Sequence, residues 1–302
     1  MPQILDGTLV RAQILAELAP RIEQLSRPPG LAVVLVGHNP ASEIYVRNKI
    51  KACTELGIYS EKLTPPESIT TAELLAILAT LNRRDDIDGI LVQMPLPAHI
   101  DSRRVLESVD PHKDADGFHP VNVGHLVAGR PGPRACTPAG IIRMLKHYRV
   151  PMEGRNAVVV GRSDIVGKPM ALMLLHENAT VTICHSKTSN LAEECHRADI
   201  LIAAIGKPAF ITGEYIAPGA TVIDVGTNRI ADRREAIRLD RAEEFERKGW
   251  VLVGDVDPSQ VKHRASAYTP VPGGVGPLTV ASLMSNTVAL AESHMGIAAA
   301  CC

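Results

Sequence analysis

Aromatic residues are scarce: Phe, Trp and Tyr make up 3 % of the 302 residues, so each ring in a polar context needs a reason. Cys occurs six times, but never as C-x-x-C and never at zinc-binding spacing, which argues against a zinc site and a secreted disulfide scaffold. Neither sign of charge prevails: Lys and Arg number 32, Asp and Glu 33, and the formal net charge is −1. A nucleic-acid binder usually carries a basic face, so no nucleic-acid partner is expected. No apolar run reaches membrane length, and the first residues form no charged-then-apolar leader. The expected location is the reducing cytoplasm, away from membranes. Cys301-Cys302 has no polybasic neighbour to support a lipid anchor, and a frayed tail after Ala298-Ala299-Ala300 is expected instead. Internal repeats and low-complexity linkers are lacking too. What is present is an ordinary globular composition, 45 % hydrophobic and 22 % charged, in a chain long enough for two domains.

The G-x-G-x-x-G turn of dinucleotide folds is also missing. In its place stands Asn156 to Met170, NAVVVGRSDIVGKPM, which reads as a buried strand, a Gly-bearing turn and a helix. Gly161 permits the turn, and Pro169 fits the first turn of the helix. Such a junction is an anion site where free backbone N–H groups and the helix dipole face a phosphate. The spacing is G-x-x-x-x-x-G with Ser163 at the second glycine's place, and an ordinary strand-to-helix loop has the same look. The next strand, Ala179 to Cys184, ends in His185-Ser186-Lys187-Thr188, without the Asp or Glu that holds NAD's ribose hydroxyls. Hydroxyls and positive charge there, with Arg162 in the turn, suit a ribose 2′-phosphate and hence NADP. A plain polar loop is the alternative.

In chain order, a helix is expected over Asp6 to Leu25, a strand over Leu31 to Val36, and a helix capped by Ser42 that runs to about Leu56. Strand Ile58 to Leu63, helix Thr70 to Leu81 and strand Asp88 to Val92 follow. Alternating strands and helices imply parallel pairing, so this stretch is a small α/β domain. Open α/β sheets bind ligands at the carboxyl ends of their strands. Tyr45 and Lys49 follow the first strand and share a helix face. Gln93 lies in a Pro-rich loop after the third strand, and Asp114-Ala115-Asp116-Gly117 is an acidic turn. Each also has a plain structural reading: Tyr45 as packing, Lys49 as solvated charge, Gln93 as a loop partner, the two Asp as turn formers. Helix Pro138 to Tyr148 leads to the nucleotide strand. Further strands are expected at Asp199 to Ala204, Thr221 to Val225 and Trp250 to Val253, with a charged surface excursion that includes some helix over Asp232 to Lys248. Thr269 to Pro277, dense in Gly and Pro, is expected to be a non-helical loop suited to close ligand approach, with a last helix over Leu278 to Ala291.

Several segments coincide in a known pattern: Tyr45-x-x-x-Lys49, Asp88-Gly-Ile-Leu-Val-Gln93-Met-Pro-Leu-Pro97, Lys113-Asp-Ala-Asp116-Gly117 and Cys136-Thr-Pro138. Val160-Gly-Arg-Ser-Asp-Ile-Val-Gly-Lys-Pro169, Cys184-His-Ser-Lys-Thr188, Asp224-Val-Gly226 and Thr269-Pro-Val-Pro-Gly-Gly-Val-Gly-Pro277 complete it. Over nearly the whole chain this closely resembles the bifunctional methylenetetrahydrofolate dehydrogenase/methenyltetrahydrofolate cyclohydrolase family. At 302 residues, the formyltetrahydrofolate synthetase domain of some relatives is not expected.

The resemblance implies an α/β fold with a small N-terminal α/β domain and a Rossmann-like parallel-sheet NADP domain. A cleft between them and a C-terminal helix returning to the first domain are part of the same expectation. Residues 1–137 with 271–302 would be the catalytic folate-binding domain, and 138–270 the NADP domain. The implied activities are NADP-dependent oxidation of 5,10-methylenetetrahydrofolate and hydrolysis of the methenyl product to 10-formyltetrahydrofolate, the one-carbon chemistry that serves purine biosynthesis. Tyr45 would lie on the substrate's p-aminobenzoyl ring, Lys49 would carry the hydrolytic step, and Gln93 would bond Lys49, with Val92 and Met94 beside it. Asp116 would hold the pterin. Pro270, Val271, Pro272, Gly273, Gly274, Pro277 and Leu278 would line the folate site. Gly161, Arg162, Ser163, Ser186 and Thr227 would bind NADP, and relatives suggest a homodimer. Thr227 stands where many relatives have Ile, and Leu278 where many have Met; tuning, not loss, is expected.

The chemistry fits a sparse residue set. Hydride leaves a carbon flanked by two nitrogens, so the substrate stabilises its own cation and the protein mainly aligns the partners. Water addition needs a proton carrier, and an amine can serve when burial beside a cation weakens its hold on the proton. The sequence also admits rival readings. A short-chain dehydrogenase also uses Tyr-x-x-x-Lys, but there the glycine turn precedes the pair. An oxidoreductase of the amino-acid-dehydrogenase kind, or an inactive folate or nucleotide binder, is separated by turnover assays.

Overall fold

Parallel pairing builds both main sheets. The computed structural model describes residues 1–297, so the expected tail of Ala298 to Cys302 lies outside the described residues. The strands in chain order are β1 (Gln3–Ile4), β2 (Gly30–Val34), β3 (Tyr59–Leu63), β4 (Gly89–Val92), β5 (Asn156–Val160) and β6 (Thr180–Cys184). After them come β7 (Ile200–Ala203), β8 (Thr221–Asp224), β9 (Asn228–Ile230), β10 (Val251–Val253) and β11 (Ala267–Tyr268). The packing separates two units. One comprises Met1–Arg11 and Thr137–Thr279, the other Ala12–Cys136 and the chain from Val280.

The second unit is built on the three-stranded sheet β3-β2-β4. Strand β2 is central and buried along its whole length, as a parallel strand covered on both faces must be. Its core includes Val34, Leu74, Leu78, Ile90 and Val105. The helix Thr71–Asn82 starts from a capping box: Thr70 Oγ1 accepts the Glu73 N–H, and Glu73 accepts the Thr70 N–H at 2.8 Å. The last helix, Val275–His294, joins this unit from Val280 onward, as expected of a returning helix. Arg21 and Glu292 form a two-pronged ion pair, and His294 Nδ1 lies 2.9 Å from the fully buried Asp88. Arg27 and the Gly30 N–H occupy the rest of that carboxylate.

The first unit carries a parallel sheet in the order β1-β11-β8-β7-β5-β6. Its interior is formed by residues such as Val158, Leu201, Val222 and Ile216. The two-residue strands β1 and β11 are too short to show periodicity, and the sequence reading did not foresee them. Backbone pairing Gln3↔Ala267 and the bond from Gly7 N–H to the Gly273 carbonyl fasten the chain's start to this sheet. The packing boundaries therefore place Met1–Arg11 and residues 271–279 with the six-stranded sheet.

Two local expectations change. Ser42 is not the cap: its helix spans Pro40–Leu56, and the Asn39 side chain accepts the Ser42 N–H. The Gly- and Pro-rich loop ends sooner than expected, because the last helix starts at Val275. Pro277 fits there because the first N–H groups of a helix have no intrahelical acceptor. The helix expected in the charged excursion is present as two short helices, Arg233–Arg238 and Ala242–Lys248, and beside them β9 and β10 form an antiparallel ribbon.

Candidate active site

In the three-stranded unit, polar side chains gather at the carboxyl ends of β2 and β4. Lys49, on the helix after β2, is only 8 % exposed, while Tyr45 one turn earlier is 40 % exposed. Lys49 Nζ donates to Gln93 Oε1 at 2.9 Å. Gln93 Nε2 donates to the Met94 carbonyl at 2.7 Å, which turns the amide oxygen towards the lysine. The Gln93 backbone continues the ladder by donating to the Val34 carbonyl, so this partner of Lys49 sits on the sheet itself. Val92 is buried and Met94 half-buried, and the Met94-Pro95 peptide is cis.

The two carboxylates of the acidic turn divide. Asp114 is buried and filled: it accepts N–H groups from Gly117, His119 and the Asn122 side chain at 2.8 to 3.0 Å. Asp116 faces the Cys136 thiol at 3.8 Å. Burial pushes its carboxyl up to about 6; the charge of Lys49 pulls the other way and that of Asp114 adds to the rise. The Cys136 thiol is itself raised well above its ordinary range, first by burial and then by Asp116. Asn286 was missed by the sequence reading. Its side chain donates at 2.8 Å to the carbonyls of Ala115 and Arg134, which fixes the segment bearing Asp116. Its signal was an amide among the mainly small and apolar residues of the last helix.

In the six-stranded unit, Gly161 has φ +139°, and a Cβ there would stand 2.2 Å from the Ala204 carbonyl oxygen. Gly167 is constrained equally: its Cβ would lie 2.3 Å from the Gly161 carbonyl oxygen. The expected array of open amides is partly closed. Ser163 Oγ accepts the N–H groups of Val166 and Gly167 at 3.2 and 3.3 Å, and its carbonyl accepts that of Lys168. The pairing Val160↔Cys184 puts Arg162 and Ser186 two residues beyond matched positions on neighbouring strands, and both are exposed. Thr227 is exposed beyond the end of β8.

The loop after β11 has Gly273 at φ +104°, a buried Gly274, an exposed Pro272 and a cis Val271-Pro272 peptide. Pro270, Val271 and Pro277 are half-buried. Leu278 is fully buried, and a Cβ on Gly140 would come within 2.6 Å of its own Cβ. A cavity of about 220 Å³ adjoins Pro270 and Val271, with Arg241, Lys262 and Asp224 in its wall.

Family descriptions match in two places: the catalytic domain of tetrahydrofolate dehydrogenase/cyclohydrolase over residues 5–116, and its NAD(P)-binding domain over residues 135–295. The chain belongs to the tetrahydrofolate dehydrogenase/cyclohydrolase family. Among its relatives, the bifunctional protein FolD of Solibacter usitatus is 64 % identical, covering 98 % of this chain and 100 % of its own length. The FolD protein of Koribacter versatilis is 57 % identical, covering 97 % of this chain and 98 % of its own length. The solved FolD structure from Campylobacter jejuni is 44 % identical with a TM-score of 0.89, covering 97 % of this chain and 99 % of that one. The FolD structure from Trypanosoma brucei, complexed with NADP cofactor and inhibitor, is 36 % identical with a TM-score of 0.88, covering 97 % and 98 %. Members of the tetrahydrofolate dehydrogenase/cyclohydrolase family oxidise methylenetetrahydrofolate with NADP and hydrolyse the methenyl product, and these are the activities of this chain. Its residues fit that cofactor: a cation and a hydroxyl, Arg162 and Ser186, stand at adjacent strand ends, and no carboxylate follows β6 to repel a 2′-phosphate. No helix among the described residues is long and apolar enough to cross a membrane.

Proposed function

We propose that Lys49 is the catalytic residue of the cyclohydrolase step and that Gln93 and Asp116 complete its site. The observation that carries this is the 2.9 Å bond from a nearly buried Lys49 to Gln93, with Asp116 close enough to share its field. Water adds to the methenyl carbon, and a carbon–nitrogen bond of the folate then opens. The attacking water must lose a proton, and the departing nitrogen must gain one. Lys49 relays it, and Gln93 holds the amine in place through a side chain fixed by the Met94 carbonyl. Asp116 accepts N–H groups of the pterin, as an ionised carboxylate does. Tyr45 offers its exposed ring to the p-aminobenzoyl group, with Val92 and Met94 lining the same strand end.

The nucleotide reading rests on the other unit. NADP, when bound, supplies the hydride acceptor. Gly161, Arg162, Ser163, Ser186 and Thr227 hold it, with Arg162 and Ser186 at the 2′-phosphate. Residues 138–270 form this functional domain; residues 1–137 with 271–302 form the folate domain, to which Pro270, Val271, Pro272, Gly273, Gly274, Pro277 and Leu278 contribute. The same reading includes a cytoplasmic homodimer. It is supported by the sheet edge β6, which exposes Ile183, and sedimentation at micromolar concentration tests it.

The deciding assay follows absorbance of purified protein with methylenetetrahydrofolate, comparing NADP with NAD, and separately with methenyltetrahydrofolate alone. Reduction of NADP together with methenyl hydrolysis is expected. Turnover of glutamate or malate in their place would overturn the assignment.

A further inference from the structure

Asp255 is 0 % exposed and lies outside the residues assigned above. Its carboxylate spans two loops. Oδ2 accepts the N–H groups of Ile205 at 2.6 Å and Gly206 at 2.9 Å, just beyond β7. Oδ1 accepts the Asn228 side-chain amide at 3.0 Å, where the loop after β8 enters β9. The residue's own backbone is clasped in turn: its N–H, with that of Val256, donates to Asp224 at 2.8 and 3.0 Å. Two glycines exist to permit this. A Cβ on Gly226 would lie 2.3 Å from Asp255 Oδ1, and one on Gly254 would lie 1.7 Å from Asp224 Oδ2. Neither has a left-handed φ, so close approach and not turn conformation demands them.

Those two loops occupy the carboxyl ends of the sheet's middle strands, where doubly wound folds take their dinucleotide. Thr227 lies between Gly226, which packs on Asp255, and Asn228, which donates to it. We propose that Asp255 is a positioning residue that fixes the strand-end loops of β7 and β8 and so sets affinity for the nicotinamide half of NADP. This rests on the nucleotide reading above. The 2′-phosphate end, at Arg162 and Ser186 just beyond β5 and β6, does not depend on Asp255 for its side chains.

The test is titration calorimetry of NADP and of 2′,5′-ADP, which lacks the nicotinamide half, on wild type, Asp255→Asn and Asn228→Ala. An amide at 255 can accept through one oxygen only, and its NH2 group turns a donor towards N–H groups that a carboxylate oxygen accepts. Asp255→Asn is expected to weaken NADP about 30-fold and Asn228→Ala about fivefold, the scale of hydrogen bonds to a charged group. Binding of 2′,5′-ADP should change less than about threefold on the same scale. Equal weakening of both ligands would mean a merely structural role and would overturn the proposal; so would unchanged NADP binding by folded Asp255→Asn. If that variant does not fold, unchanged NADP binding by Asn228→Ala overturns it. Wild type that binds neither ligand would instead strike the nucleotide reading itself, and the proposal with it.

Discussion

Buried carboxylates serve opposite ends in the two units. In the six-stranded unit, Asp224 accepts three backbone N–H groups and Asp255 accepts two more and a side-chain amide. Their capacity is spent on the protein. In the three-stranded unit, Asp116 faces a thiol, a weak donor, and keeps its acceptor capacity for a ligand. Burial raises the carboxyl of Asp116 to about 6 and that of Asp224 to about 7, so perturbation alone does not separate a site from a scaffold. What separates them is the partner list: saturated groups position loops, and undersaturated ones are free to meet substrate.

The contrast breaks most sharply at Lys49. Lys49→Ala is expected to lower methenyl hydrolysis by about 10³-fold, within the range for loss of a proton-transfer group. Binding of 2′,5′-ADP, measured by calorimetry, should stay within about twofold, because additivity holds for sites without shared partners. Hydrolysis at the wild-type rate would remove Lys49 from the mechanism.

On the nucleotide side the mirror-image substitution is Arg162→Ala. Loss of one charge-assisted contact to a phosphate costs about 2 kcal/mol, or about 30-fold in the Kd for NADP. NAD has no such phosphate, so its affinity should barely move, and methenyl hydrolysis should persist. If NAD and NADP weaken together, Arg162 is not the residue that tells them apart.

How far sequence reaches is clear from the same residues. The long buried strands and the order of motifs were legible, because apolar runs and Gly-Pro punctuation are local signals. The pairing of Lys49 with Gln93 came from family resemblance, since 44 positions separate them in the chain. Asn286 stayed hidden because its partners, the carbonyls of Ala115 and Arg134, are distant in sequence. Asp255 was not singled out in the sequence, and only its folded partners give it a task. The two-residue strands β1 and β11 fall below any periodicity. Ser163 was read as a break in a glycine pattern, whereas its hydroxyl closes the helix's first turn.

The mildest test uses pH to titrate the open carboxylate. Burial lifts Asp116 from its ordinary 3.8 to about 6, against the pull of Lys49 and with a push from Asp114; the Cys136 thiol completes its surroundings. Below about pH 6 the group is protonated and accepts the pterin's N–H groups poorly. The KM for methenyltetrahydrofolate is therefore expected to rise about tenfold for each pH unit below 6, as one proton is taken up per site. The sign for folding is opposite. A carboxyl whose folded value exceeds its unfolded one contributes stability that is present in full below about 4 and lost as pH rises through 6. Acid inactivation near pH 5 thus cannot come from unfolding through this residue. Asp116→Asn should bind weakly at every pH and lose the inflection. An inflection that survives in Asp116→Asn would assign it to another group and leave Asp116 as scaffold, like Asp224 and Asp255.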